Sequence, residues 1–164
     1  MQDIKLVAAT TSDIKEISQL AIIVWNQHYP TIIGQTQVDY MLHLMYSEES
    51  LKEQMEKKLH QFILIKVDNI SQGFISVHTE NNRDWFLNKF YINQKEATKG
   101  IGSIAFEQLK EIIRPKKITL TVNRQNFKSI NFYFKQGFKI ERVADFDIGN
   151  GYVMNDFVMV WEQQ

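Results

Sequence analysis

Apolar positions along the chain fall into two periods. Ile14, Ile17, Leu20, Ala21 and Val24 recur at three- and four-residue steps, the spacing of one helical face. Thr11-Ser12-Asp13 stands before them as a helix start, with Glu16 in the first turns. This helix is expected to end between Asn26 and Pro30. Val38, Met41, Leu42 and Met45 mark a second helix from Thr36 to Tyr46. Ser47-Glu48-Glu49-Ser50 opens a third, running to about His60. The helical period returns at Ile101, Ile104, Ala105, Leu109, Ile112 and Ile113, until Arg114-Pro115 breaks it. It returns once more from Asn126 to Gln136, with Gly137 in the usual stop position.

Shorter runs separate these helices. Ile4 to Ala9 alternates as a strand does, and Gln61 to Val67 is almost wholly apolar, as a buried strand is. Asp68-Asn69 turns the chain into a hairpin partner from Gln72 to Thr79. Asn81-Asn82-Arg83-Asp84 leads into a strand from Phe86 to Ile92, and Lys117 to Val122 forms another. Phe138 to Ile148 and Tyr152 to Trp161 are long strands joined by Gly149-Asn150-Gly151. The pattern predicts an α/β (α+β) fold with a mixed sheet and helices on both faces, as a single domain over residues 1–164.

Composition narrows the class. A chain of 164 residues buries a proper core. It has no cysteine, so disulfides and thiolate chemistry are excluded. No apolar run approaches the roughly 18 residues that span a bilayer, and the first residues lack the apolar core of a secretory signal. The expected location is cytoplasmic, with no membrane partner. Formal net charge is +0, which argues against a general nucleic-acid binder. The balance hides an asymmetry. Residues 86–139 carry 11 Lys/Arg against 3 Asp/Glu, while residues 1–85 carry 7 against 11 and residues 140–164 carry 1 against 5. A basic third of this kind can draw in a polyanion; the plain alternative is solvated lysines on helix faces.

The basic third holds the most informative stretch. Phe86 to Ile92 is followed by a polar loop and then by Gly100-Ile101-Gly102-Ser103 at a helix start. Glycine lets backbone approach a phosphate, and the first helical N–H groups are unpaired. Lys95 and Lys99 suit the same anion site. Gly100, Gly102 and Ala105 also spell the dinucleotide fingerprint. Two features oppose that reading. Seven residues separate Ile92 from Gly100, and the strand ending at Val122-Asn123 offers no Asp or Glu for a ribose. A phosphate loop of the Gly-Lys-Ser/Thr type is absent.

A second segment, Asn126-Phe127-Lys128-Ser129-Ile130-Asn131-Phe132-Tyr133-Phe134-Lys135-Gln136-Gly137-Phe138, follows a strand directly. With Phe86 to Leu109 it resembles the GNAT superfamily of N-acetyltransferases. The first stretch resembles that family's acetyl-CoA motif, the second its N-x-x-(S/A)-x-x-(F/Y)-Y-x-x-x-G-F segment. The resemblance spans residues 3–161, and the C-terminal hairpin and the Tyr40 to Glu53 helices resemble the bacterial spermine/spermidine acetyltransferase-like branch. It implies a sheet of about seven strands splayed between the fourth and fifth, acetyl-CoA as co-substrate and no metal. It also implies a small-molecule amine acceptor, with a homodimer open. One departure is Ala97, where the family has Arg or Gln; Lys95 or Lys99 could supply that contact.

The resemblance also implies roles. A bulge at Phe90, Tyr91 and Ile92 would free N–H groups for the acetyl oxygen and the pantetheine amides. Lys99, Gly100, Ile101, Gly102 and Ser103 would hold the pyrophosphate; Asn126, Ser129 and Lys135 would hold the cofactor from the neighbouring strand and helix. Tyr133 would be the general acid near the sulfur, with Phe132 and Phe134 in the core. The attacking amine needs a base, and Asn88 stands where many relatives have glutamate. His78, Glu80 and His28 are the side-chain candidates, and a water chain is the other route. Trp25, Tyr29, His78 and the Gly149–Gly151 hairpin are expected around the acceptor. Asp145, Asp147 and Asp156 could attract a cationic amine such as a polyamine. The rival readings are a CoA-binding regulatory module without turnover, a protein N-acetyltransferase, and a partner-binding domain.

Overall fold

A computed structural model describes residues 2–95 and 98–164. The expected contact at position 97 lies outside the described residues. The chain begins with β1 (Ile4–Ala8), a 3-10 turn (Thr11–Asp13), α1 (Ile14–His28), α2 (Pro30–Ile33), α3 (Gln35–Tyr46) and α4 (Glu48–Glu56). It continues through β2 (Gln61–Val67), β3 (Ile70–Thr79), β4 (Asp84–Ile92), α5 (Ile101–Ile113), β5 (Lys117–Asn123), α6 (Phe127–Lys135), β6 (Lys139–Gly149) and β7 (Tyr152–Glu162). Two details depart from the sequence pattern. Pro30 at the first helical position and Gly34 at φ +83° delimit the single turn α2, which is too short to show a period. The third helix stops at Glu56 rather than near His60, because Leu59 takes a left-handed backbone (φ 56°) and the His60 N–H bonds back to the Gln54 carbonyl at 2.9 Å.

The strands form one sheet in the order β1-β2-β3-β4-β5-β7-β6. Every neighbouring pair is antiparallel except β4 and β5. Those two run parallel for only three residue pairs, Asp84 with Lys117, Trp85 with Ile118 and Phe86 with Thr119. Beyond Phe86 they separate, while β4 stays paired to β3 as far as Ile92 and β5 to β7 as far as Asn123. The sheet therefore splays between its fourth and fifth strands.

A bulge sits at the point of divergence. Val77 pairs with Leu87 and Ser76 with Lys89, so Asn88 is an extra residue in β4. A bulged strand bends and twists more strongly, and β4 turns away from β5 here. The bulge thus falls two residues before the expected Phe90–Ile92, which lie in regular register with β3. It also resets which face each side chain meets. Trp85, Leu87, Phe90 and Ile92 pack with α5 and α6, in a cluster that includes Phe106, Leu109, Ile130 and Phe138. Tyr91 packs on the opposite face with α1, α3 and α4, against Trp25, Met41, Tyr46 and Phe74. Strand β2 divides the same way, with Ile63 and Ile65 in one cluster and Phe62 and Leu64 in the other.

The reset also buries Lys89. Without the bulge it would share a face with Leu87; instead its Nζ donates to Gln54 Oε1 at 2.7 Å and lies 5.4 Å from the Tyr46 ring and 5.6 Å from the Phe62 ring. Only 4% of the side chain is exposed, and no carboxylate pairs with it among the described residues. Burial, with a smaller contribution from Lys58, pushes its pKa down to about 7.

The folded chain then binds fewer protons at this site than the unfolded chain between about 7 and the ordinary 10.5. Stability must rise with pH across that window, and the cost of the buried ammonium is greatest below it. Replacing Lys89 with Met is expected to stabilise the fold by about 1–3 kcal/mol at pH 6, part of the gain being offset by the stranded Gln54 amide. By pH 9.5 the gain should shrink by more than half in denaturant unfolding. A gain that does not vary between these pH values would show that Lys89 keeps an ordinary proton affinity in the fold.

Candidate active site

The splay opens two adjoining cavities. The larger, of about 560 Å³, runs along the end of β4 and the first turns of α5 and α6. It is lined by Phe90, Tyr91, Ile92, Lys99, Gly100, Ile101, Gly102, Ser103, Asn126, Ser129, Tyr133 and Lys135. Apart from Lys95, every residue expected to bind the cofactor lies on it. The sequence reading missed Gln94, Thr98, Lys128 and Asn131, which line it too, as do His28, expected as a base, and Phe132, expected in the core. Lys95 does not reach it.

The two glycines of the loop act differently. Gly100 caps α5 with φ +97°, a left-handed backbone that favours glycine, and a Cβ there would meet nothing within 4 Å. Gly102 is helical, and its Cβ would lie 3.1 Å from Cε2 of Phe132. Gly102 thus lets α6 press its aromatic ring against α5. Phe132 also stacks on Phe90, with ring centroids 5.6 Å apart. Phe134, expected in the core with it, is 47% exposed. No side chain caps α5, and no acceptor is recorded among the described residues for the Gly102 and Ser103 N–H groups. Those groups, the positive end of the helix, and Lys99, Lys128 and Lys135 make one wall of the cavity suited to phosphates.

The smaller cavity, of about 230 Å³, lies between the splayed strands. Trp25 and Tyr29 come from the end of α1, Met41 and Met45 from α3, and Phe146, Ile148 and Met154 from the β6–β7 hairpin. Tyr40 anchors that hairpin by donating to the Ile148 carbonyl at 2.7 Å, and its ring lies 5.1 Å from Tyr152. The hairpin's flanks, rather than the Gly149–Gly151 tip, line the cavity. His78 lines neither cavity: its Nδ1 bonds Asn88 Oδ1 at 2.8 Å and its ring stacks on His60 at 4.6 Å. Glu80 is exposed just beyond the end of β3. His28 borders the larger cavity, its pKa lowered by burial and then by Lys128.

Six residues line both cavities: Tyr29, Phe90, Tyr91, Asn126, Ser129 and Tyr133. Asn126 caps α6, accepting from the Ser129 N–H at 3.3 Å, and its Nδ2 donates to the Tyr29 hydroxyl at 3.4 Å. Tyr133 lies two turns on and is buried. Burial, and secondarily Tyr29, holds its phenol well above the ordinary pKa. Tyr29 and Tyr91 are raised by burial as well. These phenols stay protonated throughout the physiological range. Two polar atoms of the smaller cavity's walls, Trp25 Nε1 and Asp156 Oδ1, are buried with no partner among the described residues.

A long cavity walled by lysines and a helix start meets a small amphipathic one at Tyr29, Ser129 and Tyr133, an arrangement able to bring two substrates together. Residues 22–138 match the acetyltransferase (GNAT) family, and the chain belongs to it. It is accordingly an acetyl-CoA-dependent N-acetyltransferase. The glycine loop, free helical N–H groups and lysine wall fit that co-substrate. The chain is 26% identical over 136 residues to the spermidine N(1)-acetyltransferase of Thermoplasma acidophilum, covering 79% of this chain and 84% of that one. Its fold is shared with the PaiA N-acetyltransferase of Thermoplasma acidophilum solved with coenzyme A, at a TM-score of 0.80 and 24% identity, over 98% and 99% of the two chains. It is shared with a dodecameric spermidine N-acetyltransferase of Vibrio cholerae at a TM-score of 0.67 and 18% identity, over 98% and 94%. Among the described residues no helix is long and apolar enough to cross a membrane.

Gly102→Glu is expected to abolish acetyl-CoA binding by calorimetry, because the new side chain must displace Phe132 or enter the phosphate site. Gly100→Ala should cost only backbone strain, about 1–2 kcal/mol. Wild-type affinity should fall with added salt if the donor binds in this cavity, since three lysines line it. A folded Gly102→Glu protein that binds acetyl-CoA as well as wild type would remove the α5 start from the site.

Proposed function

We propose that this protein transfers the acetyl group of acetyl-CoA to the primary amine of a small cationic acceptor of the polyamine class. Tyr133 assists the leaving thiolate, and residues 1–164 act as one catalytic domain in the cytoplasm. The observation that carries this reading is the pair of cavities sharing Asn126 and Tyr133. The acetyl donor lies along the larger cavity, with Phe90, Tyr91 and Ile92 beside its pantetheine and Lys99 to Ser103 at its phosphates. The acceptor enters the smaller cavity past Trp25 and Tyr29.

The acceptor assignment rests on size and polarity. A cavity of about 230 Å³ under a hairpin suits a slender amine better than a protein segment. Its aromatic and methionine walls suit a methylene chain, and aromatic faces also attract ammonium groups. Two of the relatives named above are spermidine acetyltransferases, which supports the same class.

The thioester is already activated, so a neutral amine can attack it directly once both are held in place. The nitrogen–carbon bond forms, the carbon–sulfur bond breaks, and the sulfur leaves as a thiolate. Tyr133, kept protonated by burial, donates a hydrogen bond to that sulfur. Its raised pKa makes complete transfer to a thiolate uphill, so hydrogen-bond donation and relay of a proton from nitrogen are its expected contributions.

Thiol release with spermidine, amino acids, aminoglycosides and peptides tests the acceptor class. Polyamines should give the highest kcat/KM; turnover confined to neutral or anionic amines would overturn the cationic assignment and leave acetyl transfer standing. Acetyl-CoA binding without thiol release from any amine would favour a regulatory module instead. Tyr133→Phe should keep acetyl-CoA affinity within a few-fold and lower kcat by roughly 10²-fold. The loss should shrink with an acyl donor whose thiol has a lower pKa. Wild-type kcat in that variant, without a burst of thiol release, would take Tyr133 out of the chemistry.

A further inference from the structure

An ammonium acceptor must shed a proton before it can attack, and the usual place for a base on β4 holds an amide. Asn88 borders the smaller cavity, yet its Oδ1 accepts from His78 Nδ1–H and its Nδ2 donates to Ser76 Oγ at 3.3 Å. An amide cannot take up a proton at neutral pH. His78 and Glu80 line neither cavity, and His28 borders only the donor's.

Among the described residues lining either cavity there is one carboxylate, that of Asp156 on β7, in the smaller cavity. Asp156 pairs with Asn123 at the splayed end of β5. Only 6% of the residue is exposed, and its Oδ1 is buried without a hydrogen-bond partner. Arg124 does not pair with its side chain: the guanidinium donates to the Asp156 backbone carbonyl at 3.2 Å and bridges to Asp145 Oδ1 at 3.0 Å. Leaving a carboxylate oxygen unpaired in an apolar wall is costly unless a cation is to be received there. The other two aspartates weighed for this role are exposed, Asp145 tied to Arg124 and Asp147 to the Gly149 N–H.

We propose that Asp156 receives the acceptor's ammonium group and takes its first proton, delivering the neutral amine to the acyl carbon. This rests on the acetyl-transfer reading and names the base for it. The proton balance closes. The ammonium gives one proton to the Asp156 carboxylate. The nitrogen attacks the acyl carbon and the carbon–sulfur bond breaks. The nitrogen's second proton passes by way of Tyr133 to the thiolate, giving the thiol and the neutral amide, and Asp156 returns its proton to water as product leaves.

The surroundings suit a base working near neutrality. Burial raises the Asp156 carboxyl to about 6, opposed by Arg124 and the Thr121 hydroxyl and reinforced by Asp145. The other titratable groups on the same cavity are Tyr29, Tyr91 and Tyr133, which stay protonated, and Lys89, which titrates near 7. A base must be deprotonated to act, so activity is expected to fall as pH drops through about 6.

The test compares wild type and Asp156→Asn with acetyl-CoA and spermidine. Asp156→Asn should keep acetyl-CoA affinity within about 3-fold and lose at least about 10²-fold in kcat/KM at pH 7. The loss should shrink toward pH 10, where solution supplies neutral amine, and the acid limb should disappear from the profile. A variant within about 3-fold of wild type overturns the proposal. So does an acid limb that survives in the variant, which would belong to Lys89, or acetyl-CoA affinity lost in step with turnover. Carbon NMR of wild type covers a variant that fails to fold: the Asp156 carboxyl should titrate lower with CoA and spermidine bound than with CoA alone, and an unmoved carboxyl overturns the assignment. A wild type that binds acetyl-CoA and acetylates no amine overturns the underlying reading, whereas an active wild type with an unimpaired Asp156→Asn overturns this proposal alone.

Discussion

The architecture depends on a ladder that stops. β4 and β5 hydrogen-bond for three residue pairs and then part, although each remains paired to its other neighbour. Backbone N–H and C=O groups left on the two facing edges need partners, since unpaired groups in a buried setting cost free energy comparable to a lost hydrogen bond. The facing edges of β4 and β5 therefore border a gap, which the smaller cavity occupies. The extra residue at Asn88 supplies the bend that opens it, and the start of α6 at Asn126 lines both cavities at the gap.

What lines the opening follows from how the elements end there. The end of α1, the cap of α6, the end of β5 and the start of β7 all converge on the gap, bringing Tyr29, Asn126, Asn123 and Asp156 together. Their polar atoms lie among Trp25, Met41, Met45 and Phe146. A low-dielectric setting strengthens each polar contact and makes each unpaired group expensive. That is why the phenols here hold their protons tightly while the aspartate gives its own up late. The donor cavity follows a different rule. It is more basic and built from helix starts, as suits a polyanion.

Most of the fold was legible because strands and helices here carry clean periods. The glycine loop and the Asn126 segment marked the donor side, since backbone geometry and capping leave traces in sequence. Two features were harder to see. The bulge was placed at Phe90 to Ile92, yet the inward residues Trp85, Leu87, Phe90 and Ile92 step by two, three and two. That three-residue step is the signature of an extra residue, and it points to Asn88. The acceptor side was less legible, because its residues come from distant segments that only tertiary structure brings together. Asp145, Asp147 and Asp156 look equivalent in a chain of exposed-looking acids. Pairing across β5, β7 and β6 buries only one of them.

Lys89 and Asp156 show how position decides the use of a buried charge. Both are more than nine-tenths covered, and burial shifts both toward neutrality. Lys89 has found a neutral acceptor, Gln54, within hydrogen-bond reach, which offsets part of the cost of burying it. Asp156 Oδ1 has none, and the guanidinium near enough to supply one is held by Asp145 and a backbone carbonyl instead. Moving Arg124 onto the Asp156 side chain would satisfy the oxygen and lower its proton affinity. The exposed pair between Arg124 and Asp145 adds little to stability on its own. Its consequence is to hold the guanidinium away from the Asp156 carboxylate.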